Sequence, residues 1–160
     1  MKIAVGSDEK THLTDVVVDE LKRRGHQVDL FGALLGQPAI WPKVAVEVAE
    51  RVASGHFDQG VLFCWTGTGI SLAANKVRGV RAALCHDPET AKGARKWNDA
   101  NILAMSLRAV SEQIAKEILD GWFNTPASLE QEDMKCLEYL KKVEEEHFIP
   151  RTKTSQSPDA

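Results

Sequence analysis

The stretch Gly60-Val61-Leu62-Phe63-Cys64-Trp65-Thr66-Gly67-Thr68-Gly69-Ile70-Ser71-Leu72-Ala73-Ala74-Asn75-Lys76 runs from an apolar strand pattern through a glycine-spaced turn into a helix pattern. Such a strand–turn–helix corner is the repeating unit of α/β folds, whose ligands sit outside the carboxyl ends of the strands. Gly67 and Gly69 let the chain turn with φ values that other residues avoid, and they leave the first backbone amides of the helix open to an anion. Cys64 stands beside that cradle, where a helix N-terminus favours thiolate over thiol. The arrangement suits a reaction in which negative charge develops on oxygen while a thiol moves a proton. G-x-G also occurs in dinucleotide, phosphate and sugar sites and in plain tight turns, so its surroundings decide the reading.

Working outward, strand and helix patterns alternate. Strands are predicted over 2–6, 26–31, 60–64, 80–84 and 101–105, and helices over 13–24, 43–54, 69–77, 87–97, 111–123 and 128–147. The succession predicts an α/β, Rossmann-like, doubly wound sheet of five mostly parallel strands with helices on both faces. Asp8, Cys64 and His86 then fall at carboxyl ends of strands. Residues 1–148 read as one domain, and the polar, aperiodic 149–160 as a flexible tail.

The 160 residues carry a net charge of −3 and a pI near 6.0, which excludes the basic field that draws a protein to nucleic acid or anionic lipid. No apolar run reaches bilayer length and no signal-peptide core precedes the first strand, so a cytoplasmic protein is expected. The three cysteines, Cys64, Cys85 and Cys136, are widely spaced without a C-x-x-C pair, which disfavours disulfides and thiolate metal sites. Cys85 reads as a small core residue and Cys136 as helix packing. His26, His56 and His147 read as surface residues.

Beside the glycine turn stand Lys2-Ile3-Ala4-Val5-Gly6-Ser7-Asp8 and Trp97-Asn98-Asp99-Ala100-Asn101-Ile102-Leu103-Ala104. Together the three segments resemble the ribose-5-phosphate isomerase B and galactose-6-phosphate isomerase family, from about Met1 to about Trp122. The resemblance implies an aldose–ketose isomerase that acts on a small sugar or sugar phosphate through an enediolate, needing no metal and no cofactor. It implies Cys64 as general base, since the position at which another subgroup carries a glutamate is Ile70 here. Thr66 would bond the base or a sugar hydroxyl, or serve its own turn. Backbone amides from Gly67 through Thr68, Gly69 and Ile70 to Ser71 would hold the enediolate, with Trp65 in the same turn. Asp8 would accept from sugar hydroxyls or cap the turn, Asn98 would touch substrate oxygens, and Arg108 would support an anionic end or an interface. Asp99 and Asn101 fit local turn bonds equally well. A homodimer or dimer of dimers is implied, with the terminal helix packed on the partner and the site formed across the interface.

Two departures stand out. Glu9 replaces a family histidine after the first strand, and Trp97 replaces the histidine credited with opening the sugar ring. Tryptophan stacks on a sugar face but carries no proton at neutral pH. Either the substrate is already open-chain or another group assists, with His86, Glu9 and His12 as candidates. The two arginines that hold phosphate in relatives fall near Leu129 and Asp133, within acidic surroundings that would repel a dianion. This suggests a substrate with a different terminal group, unless Lys135, Arg108, Lys43 or Lys10 takes over. A catalytically silent sugar-binding or regulatory protein is the alternative. A nucleotide module lacks support, because the third glycine and the ribose-binding acid are missing.

Overall fold

The computed structural model describes residues 1–148, and the tail expected over 149–160 lies outside them. Five strands, β1 (Lys2–Ser7), β2 (Gln27–Gly32), β3 (Gln59–Cys64), β4 (Ala82–Leu84) and β5 (Ile102–Ser106), pair in parallel in the order β2-β1-β3-β5-β4. The helices are α1 (His12–Arg23), α2 (Trp41–Ala53), α3 (Thr68–Ala74), α4 (Pro88–Asn98), α5 (Glu112–Phe123) and α6 (Gln131–His147).

Strand alternation sends neighbouring side chains to opposite faces of the sheet. Val61 and Phe63 of β3 join Ile3, Val5, Leu103 and Met105 in a core under α1, α4 and α5. Leu62 and Cys64 join Ala4, Ile102 and Ala104 in a second core under α2 and α3. Both faces are therefore covered, as a central parallel sheet requires. The first core also holds Trp122, whose indole N–H donates to Gln59 Oε1 at 2.7 Å.

Boundaries differ from the sequence reading where side chains replace the strand ladder. The fourth strand spans three residues because Asn75 brackets Ala82, donating to its carbonyl and accepting from its amide, each at 2.8 Å. Asn101 Oδ1 likewise takes the amide of Arg81 at 2.8 Å. The helix expected over 69–77 is the seven-residue α3, starting one residue earlier, ending at Ala74 and capped by Asn75. Cys136, read as packing, is exposed on α6, a helix with no buried residue. His26, read as a surface residue, is half-buried with its ring 4.6 Å from that of Phe123. Among the described residues no helix is long and apolar enough to cross a membrane.

Candidate active site

The carboxyl edge of the sheet collects most of the predicted residues. Register pairs Ser7 of β1 with Phe63 of β3, so Asp8 and Cys64 follow on adjacent strands, about 5 Å apart in backbone. Cys64 is 5% exposed and belongs to the apolar core under α2 and α3, which shields its thiol from bulk water. Its carbonyl is fixed by the amides of Gly67, at 3.2 Å, and Leu107, at 3.0 Å. The next carbonyl, of Trp65, accepts from Ser106 Oγ at 2.9 Å and from the amide of Arg108 at 3.1 Å. The turn after β3 is thus pinned to the end of β5.

Gly67 is the position that needs glycine. It has φ 76, and a Cβ there would lie 2.5 Å from Leu84 Cδ1 and 3.0 Å from the carbonyl carbon of Met105. The turn narrows the expected cradle. The amide of Gly67 donates to Cys64 and that of Ser71 to the Gly67 carbonyl at 3.2 Å, so neither end is free. Among the described residues the amides of Thr68, Gly69 and Ile70 have no protein acceptor, as expected of a first helical turn. The Ile70 side chain is fully buried, leaving its amide as its one polar contribution. Thr66 and Thr68 are exposed and share a hydroxyl–hydroxyl bond of 2.7 Å.

Asp8 carries the clearest sign of a missing partner. Its Oδ1 is buried and, among the described residues, accepts no hydrogen bond. Burial raises its pKa above the ordinary carboxylate value, opposed by its own backbone amide and reinforced by the charge of Glu9. Buried polar atoms are nearly always bonded, so an orphan oxygen at a strand's carboxyl end calls for a donor from a ligand or water. Ser7 shapes the turn, its Oγ donating to the Glu9 carbonyl at 2.6 Å and accepting the Glu9 amide at 3.2 Å.

Other predicted residues are distributed differently. Arg108 is exposed at this edge and, among the described residues, pairs with no carboxylate. His12 is engaged by Glu112 of α5, Nε2 to Oε1 at 2.8 Å. His86 follows β4, which is separated from β3 by β5, so it stands about 10 Å to the side. Trp41 was not foreseen: its ring lies against the backbone of Gly69, where a Cβ would meet it at 3.3 Å, and it is 41% exposed. An aromatic residue at a helix start, after a Gly- and Pro-containing loop, was the available signal.

Trp97 and Asn98 lie at the opposite edge. Their helix ends where Asn101 accepts the amide of Gly60, four residues and about 13 Å before Cys64 along β3. Trp97 is 54% exposed, with its ring folded over Gly93. A groove of about 480 Å³ opens beside this turn, lined by Arg78, Arg81, Asp99 and the α6 residues Leu137 and Leu140. One chain therefore separates the two halves of the predicted site.

Comparison with known proteins accounts for this arrangement of elements. Residues 3–139 match the model of the family described as Ribose/Galactose Isomerase. Ribose-5-P isomerase B of Listeria innocua is 36% identical over 129 residues, covering 80% of this chain and 87% of that protein. D-erythrulose-4-phosphate isomerase of Pectobacterium atrosepticum is 37% identical over 126 residues, covering 78% and 83%. The solved structure of Clostridium thermocellum ribose-5-phosphate isomerase B superposes with a TM-score of 0.85 at 38% identity, covering 91% and 99%. The chain belongs to the Ribose/Galactose Isomerase family and is a sugar isomerase built on its α/β fold.

Proposed function

We propose that the chain interconverts an aldose and a ketose through an enediolate, with Cys64 as the base. The thiolate takes the proton from the carbon next to the carbonyl and returns it to the former carbonyl carbon, while the hydroxyl proton passes from the first carbon's oxygen to the former carbonyl oxygen. The amides of Thr68, Gly69 and Ile70 hold the oxygen on which charge develops, and donors fixed in advance at that point are among the strongest contributions to catalysis. Thr66 supports the base or a hydroxyl. Asp8 accepts from a substrate hydroxyl, and its orphaned, buried oxygen beside Cys64 is the observation that carries the reading.

Trp97 and Asn98 reach a substrate only from a second copy, because their own chain holds them at the far edge of the sheet. We infer a homodimer in which α6, which buries none of its own residues, packs on the partner and the site forms between copies. Trp41 flanks the cradle at Gly69, and the exposed Trp65 precedes it in the same turn.

The substrate is an open-chain sugar of about four carbons with its terminal hydroxyl esterified. A tetrose blocked at C4 cannot close a furanose ring, so it needs no ring-opening histidine, and Trp97 is free to stack on it. A relative at 37% identity is a D-erythrulose-4-phosphate isomerase. Glu132 and Asp133 occupy the first turn of α6, where the helix dipole favours them, and their charge keeps an anionic ester away from that turn. Lys135 and Arg108 remain as cations for the ester.

Turnover of erythrose 4-phosphate, ribose 5-phosphate and free aldoses by the purified chain tests this. The expected result is at least a tenfold higher kcat/KM for the tetrose ester, with Trp97→His raising activity on ribose 5-phosphate. Preference for ribose 5-phosphate would overturn the open-chain assignment, preference for a free aldose the anionic terminus, and no turnover of any sugar the catalytic reading itself.

A further inference from the structure

The helix ends of this fold are not built alike. α1 and α2 are followed by Gly25 and Gly55, with φ 82 and 78, as left-handed helix stops usually are. α4 instead ends on Asp99, with φ 42 and ψ 45, the one non-glycine of positive φ among the described residues. That region is unfavourable for an L side chain and persists where the surroundings hold it.

Two arginines from different elements do so. Arg81, just before β4, donates through Nε to the carbonyls of Asn98, at 3.1 Å, and Asp99, at 2.9 Å, and through Nη2 to Asp99 Oδ2 at 3.0 Å. Arg95, one turn back on α4, meets Asp99 Oδ1 at 3.1 Å and also donates to the Ala100 carbonyl. Its guanidinium lies 5.6 Å from the Trp122 ring, which ties the clamp to the core. Both carboxylate oxygens of Asp99 are thereby engaged, so the residue is set to hold a turn. The residues immediately before it are Trp97 and Asn98. A stop serving chain reversal alone would need neither an aspartate nor its two partners.

We propose that Asp99, gripped by Arg81 and Arg95, is a positioning residue that fixes the direction in which Trp97 and Asn98 meet the substrate of a second copy. This rests on the composite site described above. Arg81 links the turn to the start of β4 and Arg95 links it to the core, so the clamp transmits the rigidity of the sheet to two exposed side chains.

The test compares the full-length chain with Asp99→Gly and Asp99→Asn, using the sugar ester that the wild type turns over best. Glycine keeps the backbone conformation and removes the grip; asparagine tolerates the conformation and keeps one acceptor. Asp99→Gly is expected to raise KM at least tenfold with kcat within threefold, since binding made equally in ground and transition states appears in KM. Asp99→Asn recovers most of the loss. With 5-fluorotryptophan labelling, the 19F resonance assigned through Trp97→Phe shifts in Asp99→Gly, while those of Trp41 and Trp65 hold. A KM within twofold of wild type overturns the proposal, including when the melting temperature falls, because that marks a merely structural turn. An unmoved Trp97 resonance overturns it equally. A wild type inactive on every sugar, esterified or free, defeats the isomerase reading instead, and the 19F arm still decides the clamp.

Discussion

Replacing Gly67 with alanine attacks the turn that joins the base to the amide cradle. Two costs combine. An L side chain at φ 76 costs roughly 1–2 kcal/mol in the left-handed region. Its Cβ, 2.5 Å from Leu84 Cδ1 and 3.0 Å from the Met105 carbonyl carbon, forces backbone of β5 or the turn to move, and overpacking of that kind costs roughly 1–3 kcal/mol. The sum, about 2–5 kcal/mol, is a large part of the 5–15 kcal/mol that typically holds a domain together. At roughly 2–4 °C per kcal/mol for a chain of this size, the melting temperature falls by about 10 °C. Gly36→Ala is the control: its φ of 79 carries the same backbone cost, but nothing lies within 4 Å of the added Cβ. Thermal and urea unfolding of the two variants therefore separate packing from backbone. Gly67→Ala should melt well below Gly36→Ala and lose turnover as the amides shift. Equal melting temperatures, within about 1 °C, would refute the packing argument.

Asp8→Asn should stabilise the fold and weaken catalysis. Folding raises this carboxyl's pKa above its usual 3.8, so its ionisation costs stability; that cost is absent below pH 3.8 and complete once pH exceeds the folded pKa. The variant then melts higher at pH 7, the gap closes as pH falls below 3.8, and kcat/KM drops about tenfold or more with loss of a charged acceptor. Glu20 works in the opposite sense. Its carboxyl, 7% exposed, is held down to about 2 by Arg23 and then Arg24, against the effect of burial. Its contribution is complete above about pH 4.5 and lost as pH falls toward 2, so Glu20→Gln should lower the melting temperature at pH 7 and match wild type near pH 2.

The alternation of strands and helices was legible because apolar periodicity and glycine stops mark each element locally. Strand order was not, since a parallel crossover can land on either side of its neighbour; β5 enters between β3 and β4. The cradle was legible from Gly67 and Gly69, but its width was not: hydrogen bonding within the turn removes the amides of Gly67 and Ser71. Trp97 and Asn98 could be matched to a motif, yet their place at the opposite edge follows from how α4 returns to the start of β5. Trp41 escaped notice because its contact with Gly69 joins residues far apart in sequence.

The central claim is that the Cys64 thiol moves the proton. The direct measurement is deuterium uptake from D2O at the carbon beside the carbonyl, read by mass spectrometry of recovered substrate and product, for wild type and Cys64→Ala. The account predicts uptake with turnover in the wild type and a fall of about 100- to 10,000-fold in both for the variant, the span expected when a positioned acid–base group is removed. Exchange by Cys64→Ala within tenfold of wild type would contradict it and place the base on another residue.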